Sequence, residues 1–556
     1  MKNKGIISLL ALILLLLLVN FVAANYFTRF DLTQDNRYTL SEESEKIIQK
    51  ADAPIFITIY LQGDFPAEFK RLQNETRYLL EEFSVVNSEV KYEFINPLEG
   101  EKDAQAVGED FYRSGMPPEN LNTYQNGKTS KQLIFPWAMA RYKDREIKIP
   151  LLQKNIQQKT DAVITNSVAQ LEYAFADGFH KLLQKKSKKI AVMRGNGELP
   201  NGNLADFVKS GQSYYNFAPF TLDSVASTPK KTLKKLQEYD LIVEAKPTEN
   251  FTEKEKYSLD QYVMNGGKML WLMDGVSAEK DSLFGNAENT MLAFPKMLRL
   301  TDFFFKYGIR INPSLVKDFK SAPLVLSRGR GRQAQMTPLP WFYMPLVSPK
   351  SENPIVKGIE AVKFDFASPM DTLTNGINKT ILLKSSQQTK VMGTPRQINL
   401  SDTRKKPDFK TFNNGGKILA VLLEGKFTSV YANRVKPFQI DKSIDQSPKT
   451  KMIVVSDGDV VKNEVSRGKP QRLGYDRYSG KTYGNKAFLL NSLNYLLGDG
   501  QLLALRSKEV KLHFLDSEKV SVQNLKWKLI NLAAPLLALG IFGFGFTYLR
   551  KRRYVK

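Results

Sequence analysis

Residues 529–549 (LINLAAPLLALGIFGFGFTYL) run for 21 positions without a charged side chain, and five basic residues with no acid follow at once: Arg550, Lys551, Arg552, Arg553 and Lys556. At about 1.5 Å of rise per residue, a helix of that length approaches the roughly 30 Å hydrocarbon thickness of a bilayer. A buried core helix has no use for such a basic flank, so the pattern predicts a transmembrane helix in which Pro535 and the glycines are tolerated. Residues 5–24 (GIISLLALILLLLLVNFVAA) form a second uncharged run behind Lys2 and Lys4. This run fits either an anchor or a signal peptide cleaved after small residues such as Val22 and Ala24; its uncharged continuation through Thr28 favours the anchor. With basic residues outside both runs, the positive-inside rule places both termini in the cytoplasm and residues 25–526 across a bacterial inner membrane, in the periplasm.

The 556 residues carry 81 Lys and Arg against 57 Asp and Glu, a net charge of +24. Much of the excess flanks the two apolar runs, and the rest is dispersed without a basic stripe interleaved with aromatics, so membrane lipids rather than nucleic acid are the expected partners of this charge. There is no cysteine. That excludes a disulfide framework, a thiol nucleophile and a Cys-ligated metal. The two histidines, His180 and His513, lie far apart with no patterned carboxylate beside them, so no metal site and no Ser-His-Asp triad is expected.

Between the runs the sequence predicts two α/β domains. Residues 54–61 and 90–95 read as strands around an amphipathic helix at 68–83; a helix near 103–114, strands at 131–141 and 146–152 and a helical stretch at 161–183 follow. This is a thioredoxin-like order, assigned to 29–184, and without cysteine it is a scaffold. The charged run KKSKK at 185–189 reads as a solvated linker. Strands at 190–193, 240–244, 268–273 and 451–455, alternating with helices at 231–238, 253–264 and 485–497, predict an open parallel sheet over 185–507. Residues 323–431 read as a β-rich insertion, 508–526 as a neck, 527–556 as the C-terminal span and tail, and 1–28 as the first span.

GKT occurs at Gly127 and at Gly480, but the phosphate-cradling loop needs glycine at positions held by Asn122 and Tyr475, so no ATP site and no cofactor is expected. Asp457 and Asp459, in SDGDVV after a strand, form the main carboxylate pair, placed where open sheets hold ligands. They read as a ligand-positioning pair or as a turn with one Asp capping the next helix, ahead of catalysis. Asn196 and Glu198, in RGNGE after another strand, form a second candidate loop whose glycines would admit a ligand. In PWFYMP, Trp341 and Tyr343 read first as buried packing under the β-rich lobe, with an exposed anchor for a partner as the weaker candidate role. The run RGRGR at 328–332 reads as a solvated loop. No catalytic residue is assigned.

Four segments in order carry a wider resemblance: RFDLTQDNRYTLS at 29–41, PLPWFYMPLV at 338–347, VVSDGDVVKNEV at 454–465, and LGYDRY followed by GNKAFLLNSLNYLL at 473–497. Together they resemble the GldG family of gliding-motility-associated, ABC-transporter-linked membrane proteins of Bacteroidetes. The resemblance implies a non-ATPase subunit beside a multi-span, GldF-like permease and a cytoplasmic, GldA-like ATPase, connected with gliding and the associated type IX secretion; a second copy of the chain is a further partner to consider. It also implies that the larger domain is a glutamine-amidotransferase-like auxiliary domain. The family pattern would place His where Asn196 stands, which with the missing cysteine argues against amidotransferase chemistry. A tethered glycan- or substrate-binding module is the alternative function, followed by a hydrolase relic.

Overall fold

The computed structural model describes residues 12–16, 18–20, 39–100, 103–125, 128–152, 160–328, 335–405, 407–498 and 523–554. Most of the first apolar run with Lys2 and Lys4, the neck before residue 39, and most of 508–526 and 328–332 lie outside them. The chain divides into two compact units, Met1–Lys508 and Glu509–Lys556.

The second unit contributes one helix, Asn524–Tyr554, continuous through Pro535. Its segment Lys526–Arg553 spans 28 residues, about 42 Å at helical rise, and is the one helix among the described residues long and apolar enough to cross a membrane. None of its most apolar stretch is buried by protein. The expectation of two spans therefore stands on one described helix.

The first unit holds two lobes. The smaller begins with α1 (Glu42–Ile48) and is built on β1 (Ile55–Ile59), α2 (Ala67–Val86), β2 (Val90–Phe94), α3 (Ala104–Arg113), β3 (Glu119–Gln125), β4 (Lys128–Ile134), β5 (Trp137–Tyr142), β6 (Arg145–Pro150), α4 (Thr160–Ala169) and α5 (Leu171–Leu183). The sheet order is β2-β1-β5-β6, with β1 parallel to β2 and antiparallel to β5. Alternation along β1 buries Ile55, Ile57 and Ile59 and turns Phe56 outward, while α2 buries Phe69, Leu72, Thr76, Leu80 and Phe83 at helical spacing. The strand expected over 131–141 is two strands: Pro136, without a backbone donor, interrupts the ladder, and β4 pairs with β3 in a separate hairpin. The helical stretch at 161–183 is likewise two helices, divided at Gln170. Glu172 at the start of α5 ties down α1, accepting hydrogen bonds from the Ser41 N–H at 2.7 Å and from the Ser41 and Ser44 hydroxyls at 2.6 and 2.9 Å.

Beyond the exposed run at 185–188 the larger lobe begins. Its described elements include β7 (Lys189–Arg194), α6 (Asn201–Gly211), β8 (Asn216–Thr221), α7 (Pro229–Leu236), β9 (Leu241–Ala245), α8 (Glu253–Met264), β10 (Lys268–Leu272), β11 (Ile418–Thr428), β12 (Gln446–Val455) and α9 (Asn485–Leu497). Strands run β8-β7-β9-β10-β12 in parallel, and β11 then lies antiparallel against β12. Short strands at Met370–Thr372 and Asn378–Lys384 pair with β11. The sheet is thus mixed rather than wholly parallel, and the β-rich insertion expected over 323–431 overruns a strand of the main sheet. Leu419 to Leu423 are all fully buried, as a strand covered on both faces requires. The two lobes meet where the hydroxyl of half-buried Tyr214 donates to Asp177 of α5 at 2.7 Å and Lys181 stands 4.5 Å from the Tyr214 ring.

Helix α8 is buried on every side. Thr252 and Glu255 close a reciprocal capping box at its start. Within it, Asp260 accepts from the Ser429 hydroxyl at 2.6 Å, the Val430 N–H at 2.8 Å and the Tyr307 hydroxyl at 2.9 Å. One carboxylate thereby fastens the helix to the chain leaving β11. Asp260→Ala strands three buried donors at once and is expected to cost about 3 kcal/mol or more in denaturant unfolding of the full chain, with Asp260→Asn costing clearly less.

Candidate functional site

A parallel strand delivers the residues just past its carboxyl end to one edge of the sheet, and adjacent strands deliver theirs side by side. Here β9 is followed by Lys246, β10 by Asp274, and β12 by Asp457 and Asp459. The Lys246 ammonium lies 2.6 Å from Asp459, 2.8 Å from Glu279 and 3.8 Å from Asp274. Lys296 adds a second cation 3.2 Å from Asp274, and Lys462 stands 3.5 Å from Asp459. Gly458 lets the loop close over this ammonium: a Cβ there would sit 2.4 Å from a Lys246 side-chain carbon, and its N–H donates to Asp274 at 2.7 Å.

The carboxylates of this cluster have different electrostatics. Asp457 caps the 3₁₀ turn Gly458–Val461, accepting from the Asp459 N–H at 2.7 Å and from the Asp365 N–H at 2.5 Å. Those bonds favour its charged form, yet burial first, then the Asp459 and Asp274 carboxylates, push its pKa well above the usual carboxylate range. For Asp459 burial acts upward too, but Lys246 and Lys462 outweigh it and hold the group below that range. Burial alone would depress Lys246; Asp459, Asp274 and Glu279 overcome it and raise the ammonium's pKa far up. One oxygen from each of Asp274, Asp457 and Asp459 lies within 4.8 Å of the others, a set able to ligate a hard cation. The neutralising charge there is already supplied by Lys246 and Lys296.

Beside this cluster opens a cavity of about 600 Å³, within the range of small-molecule sites. Asp459, Glu279, Lys280, Asp365 and Lys462 line it, and an antiparallel hairpin of Leu324–Arg328 with Gln335–Leu339 contributes Leu324, Leu326 and Met336. Asp365 is 9% exposed, and burial raises its pKa against the opposing pull of Lys280, whose Nζ is 3.6 Å away.

Asn196 and Glu198 are not in the cavity lining. The Asn196 N–H donates to Glu198 at 3.0 Å, and its carbonyl accepts from the N–H groups of Thr248 and Glu249, both at 2.9 Å. A Cβ at Gly197 would stand 2.1 Å from the Thr248 hydroxyl, so the glycine expected to admit a ligand admits the protein's own chain. Next to this loop Glu244 is fully buried; desolvation, then the Glu198 charge, lift its carboxyl well above normal. Trp341 and Tyr343 are 2% and 1% exposed, packed with Phe366 in the core of the β-rich lobe, so the buried reading holds and the exposed-anchor role falls, since large rings bury more area than any other side chain. Of the flanking basic residues, Arg550, Lys551, Arg552 and Arg553 are described and lie in the last turns of the C-terminal helix. Lys246, Asp274, Glu279 and Asp365 were missed by sequence reasoning; for the first two, their position one and two residues past a strand was the available signal.

Residues 187–492 match the family described as ABC-type uncharacterized transport system. The chain belongs to this family. The matched span holds the whole mixed sheet and the Lys246 cluster, and residues 34–141 of the smaller lobe match a domain of unknown function. An uncharacterized protein of Borreliella burgdorferi (strain ATCC 35210 / DSM 4680 / CIP 102532 / B31) is 21% identical over 565 residues, covering all of both chains. Two solved structures are similar at 12% identity: the mmIFT52 N-terminal domain, covering 59% of this chain and 100% of its own with a TM-score of 0.31, and a putative thua-like protein from Parabacteroides merdae ATCC 43184, covering 60% and 94% with a TM-score of 0.26. At such TM-scores they say nothing of function.

Removing the central cation should show its structural weight. Lys246→Met takes the central cation from Asp459, Glu279 and Asp274, leaving Asp459 with Lys462 and Asp274 with Lys296, and is expected to cost about 3 kcal/mol at pH 7. Asp459, depressed in the folded chain, contributes stability above its unfolded pKa that is lost as pH falls through the folded one, whereas protonation relieves the carboxylates stranded in the variant. The gap between wild type and variant should therefore narrow as pH falls from 7 toward 4 in denaturant titrations; a constant gap would deny the coupling.

Proposed function

We propose that the chain is a non-ATPase membrane subunit of an ABC-transporter-like complex, anchored beside a multi-span permease and a cytoplasmic ATPase and coupling their cycle to the periplasm. The observation that carries this reading is the family match over 187–492 in a chain that also has the Lys526–Arg553 helix with its basic last turn. A basic end on an apolar helix supports a cytoplasmic tail, and with it a periplasmic position for the folded lobes. The sheet order β2-β1-β5-β6 supports a thioredoxin-like scaffold in the smaller lobe, and the mixed sheet an amidotransferase-like one in the larger. Neither GKT has the required glycine, so energy comes from a partner. The segments quoted for the GldG resemblance extend the reading to gliding motility and protein secretion in the bacterial inner membrane.

Affinity purification of the full chain from its own membranes should bring down a permease and an ATPase, and the chain alone should turn over no ATP. Because the sequence lacks cysteine, single cysteines at Thr374 and Arg552 report sidedness without background. An impermeant maleimide applied to intact cells stripped of outer membrane should label the first and not the second; the opposite pattern, or labelling of both, would overturn the topology. A flexible Gly/Ser insert within 508–526 should leave partner binding intact and abolish transport-linked function, since a soft linker does not transmit displacement.

A further inference from the structure

The cavity beside the Lys246 cluster has a composition that narrows what fills it. Its charged lining presents both signs in pairs: Lys280 stands 3.6 Å from Asp365, Lys462 3.5 Å from Asp459, and Lys363 3.8 Å from Asp476. Six carboxylates face four cations across the whole lining, so a purely anionic ligand meets mostly like charge, and a purely cationic one competes with the lysines already paired to these carboxylates. Among the described residues the Oδ1 of Asp365, which is nine-tenths buried, has no hydrogen-bond partner, and a buried carboxylate oxygen in that state calls for a donor. Leu324, Leu326, Met336 and Phe284 give the same cavity an apolar lining, which the hydroxyls of a neutral polyol would not match.

We infer that the cavity binds a small zwitterion with an apolar body, an ammonium and a carboxylate on one frame, the class of a free apolar amino acid or an apolar peptide of two or three residues. The ammonium donates to Asp365 and Asp459, the carboxylate accepts from Lys280 and Lys462, and the apolar body lies against the hairpin. Each charge of the ligand then meets its opposite, and the volume of about 600 Å³ accommodates up to a tripeptide. This inference goes beyond the transport assignment and does not depend on which permease the chain accompanies.

The test uses the full chain in detergent, with calorimetry and thermal unfolding against leucine, trileucine, N-acetyl-trileucine, trileucine amide, maltotriose and inorganic phosphate. Leucine or trileucine should bind and raise the unfolding temperature. Blocking either end should weaken binding by about tenfold or more, the scale of a lost charge-assisted hydrogen bond. Asp365→Asn should weaken the free-amine ligands and leave the residual binding of the N-acetyl peptide unchanged; Leu326→Asp, on the apolar lining, provides a second variant should the first not fold. Equal binding of blocked and free peptides, binding of maltotriose or phosphate in their place, or no binding of leucine and trileucine at millimolar concentration would each overturn the inference.

Discussion

The larger lobe is organised around one ammonium group. Lys246 is 3% exposed at the side chain and touches carboxylates contributed by the ends of β10 and β12 and by the segment after β10. Buried charges of one sign could not gather there without it, since each would cost several kcal/mol to desolvate. The consequence is mechanical as well as electrostatic. The loops after three neighbouring strands are bound to one point, so the carboxyl edge of the sheet behaves as a single piece and the cavity next to it has fixed walls. Asp457 adds to this: it accepts from the Asp459 N–H within the β12 loop and from the Asp365 N–H, and the second bond joins that loop to the β-rich lobe.

How much of this was legible in the sequence depends on whether a feature is local. Helix α8 was read to the residue because its capping residues and the glycines after it are adjacent in the chain, and β9 and β10 to within one residue because each is a short apolar run between turn signals. Strand β11 was misassigned for the opposite reason. ILAVLLEGKF follows a long strand-rich stretch, and nothing local states that it crosses back into the main sheet; only its pairing with β12, from 446 onward, does so. The hairpin of β3 and β4 was lost because its residues, ENLNTYQ and KTSKQLI, are polar enough to read as loop.

The site divides the same way. Asp457 and Asp459 were found because two carboxylates sit two positions apart in one loop after one strand. Their partners come from 246, 274 and 365, brought in by parallel pairing and by the β-rich lobe. Trp341 and Tyr343 show where composition leaves two readings open. A dense aromatic run has the composition of an interface anchor and of a core alike, and the contact of Trp341 with Phe366, at 6.3 Å between ring centroids, is set by chain folding rather than by spacing.

What the folded lobes can offer a transport system depends on what they recognise and what they transmit. Transmission needs stiffness, and the larger lobe has it where the strand ends converge: a buried cation with three carboxylates resists displacement in any direction because every movement lengthens at least one ion pair in a low-dielectric setting. Recognition needs unspent polar capacity, and that lies beside the same cluster, in the Asp365 oxygen that accepts nothing from the described residues. The two requirements are met by neighbouring groups because one depends on the other. An unsatisfied buried carboxylate persists only when the surrounding structure is held firmly enough that it cannot relax to find a partner, and the Lys246 cluster supplies that restraint.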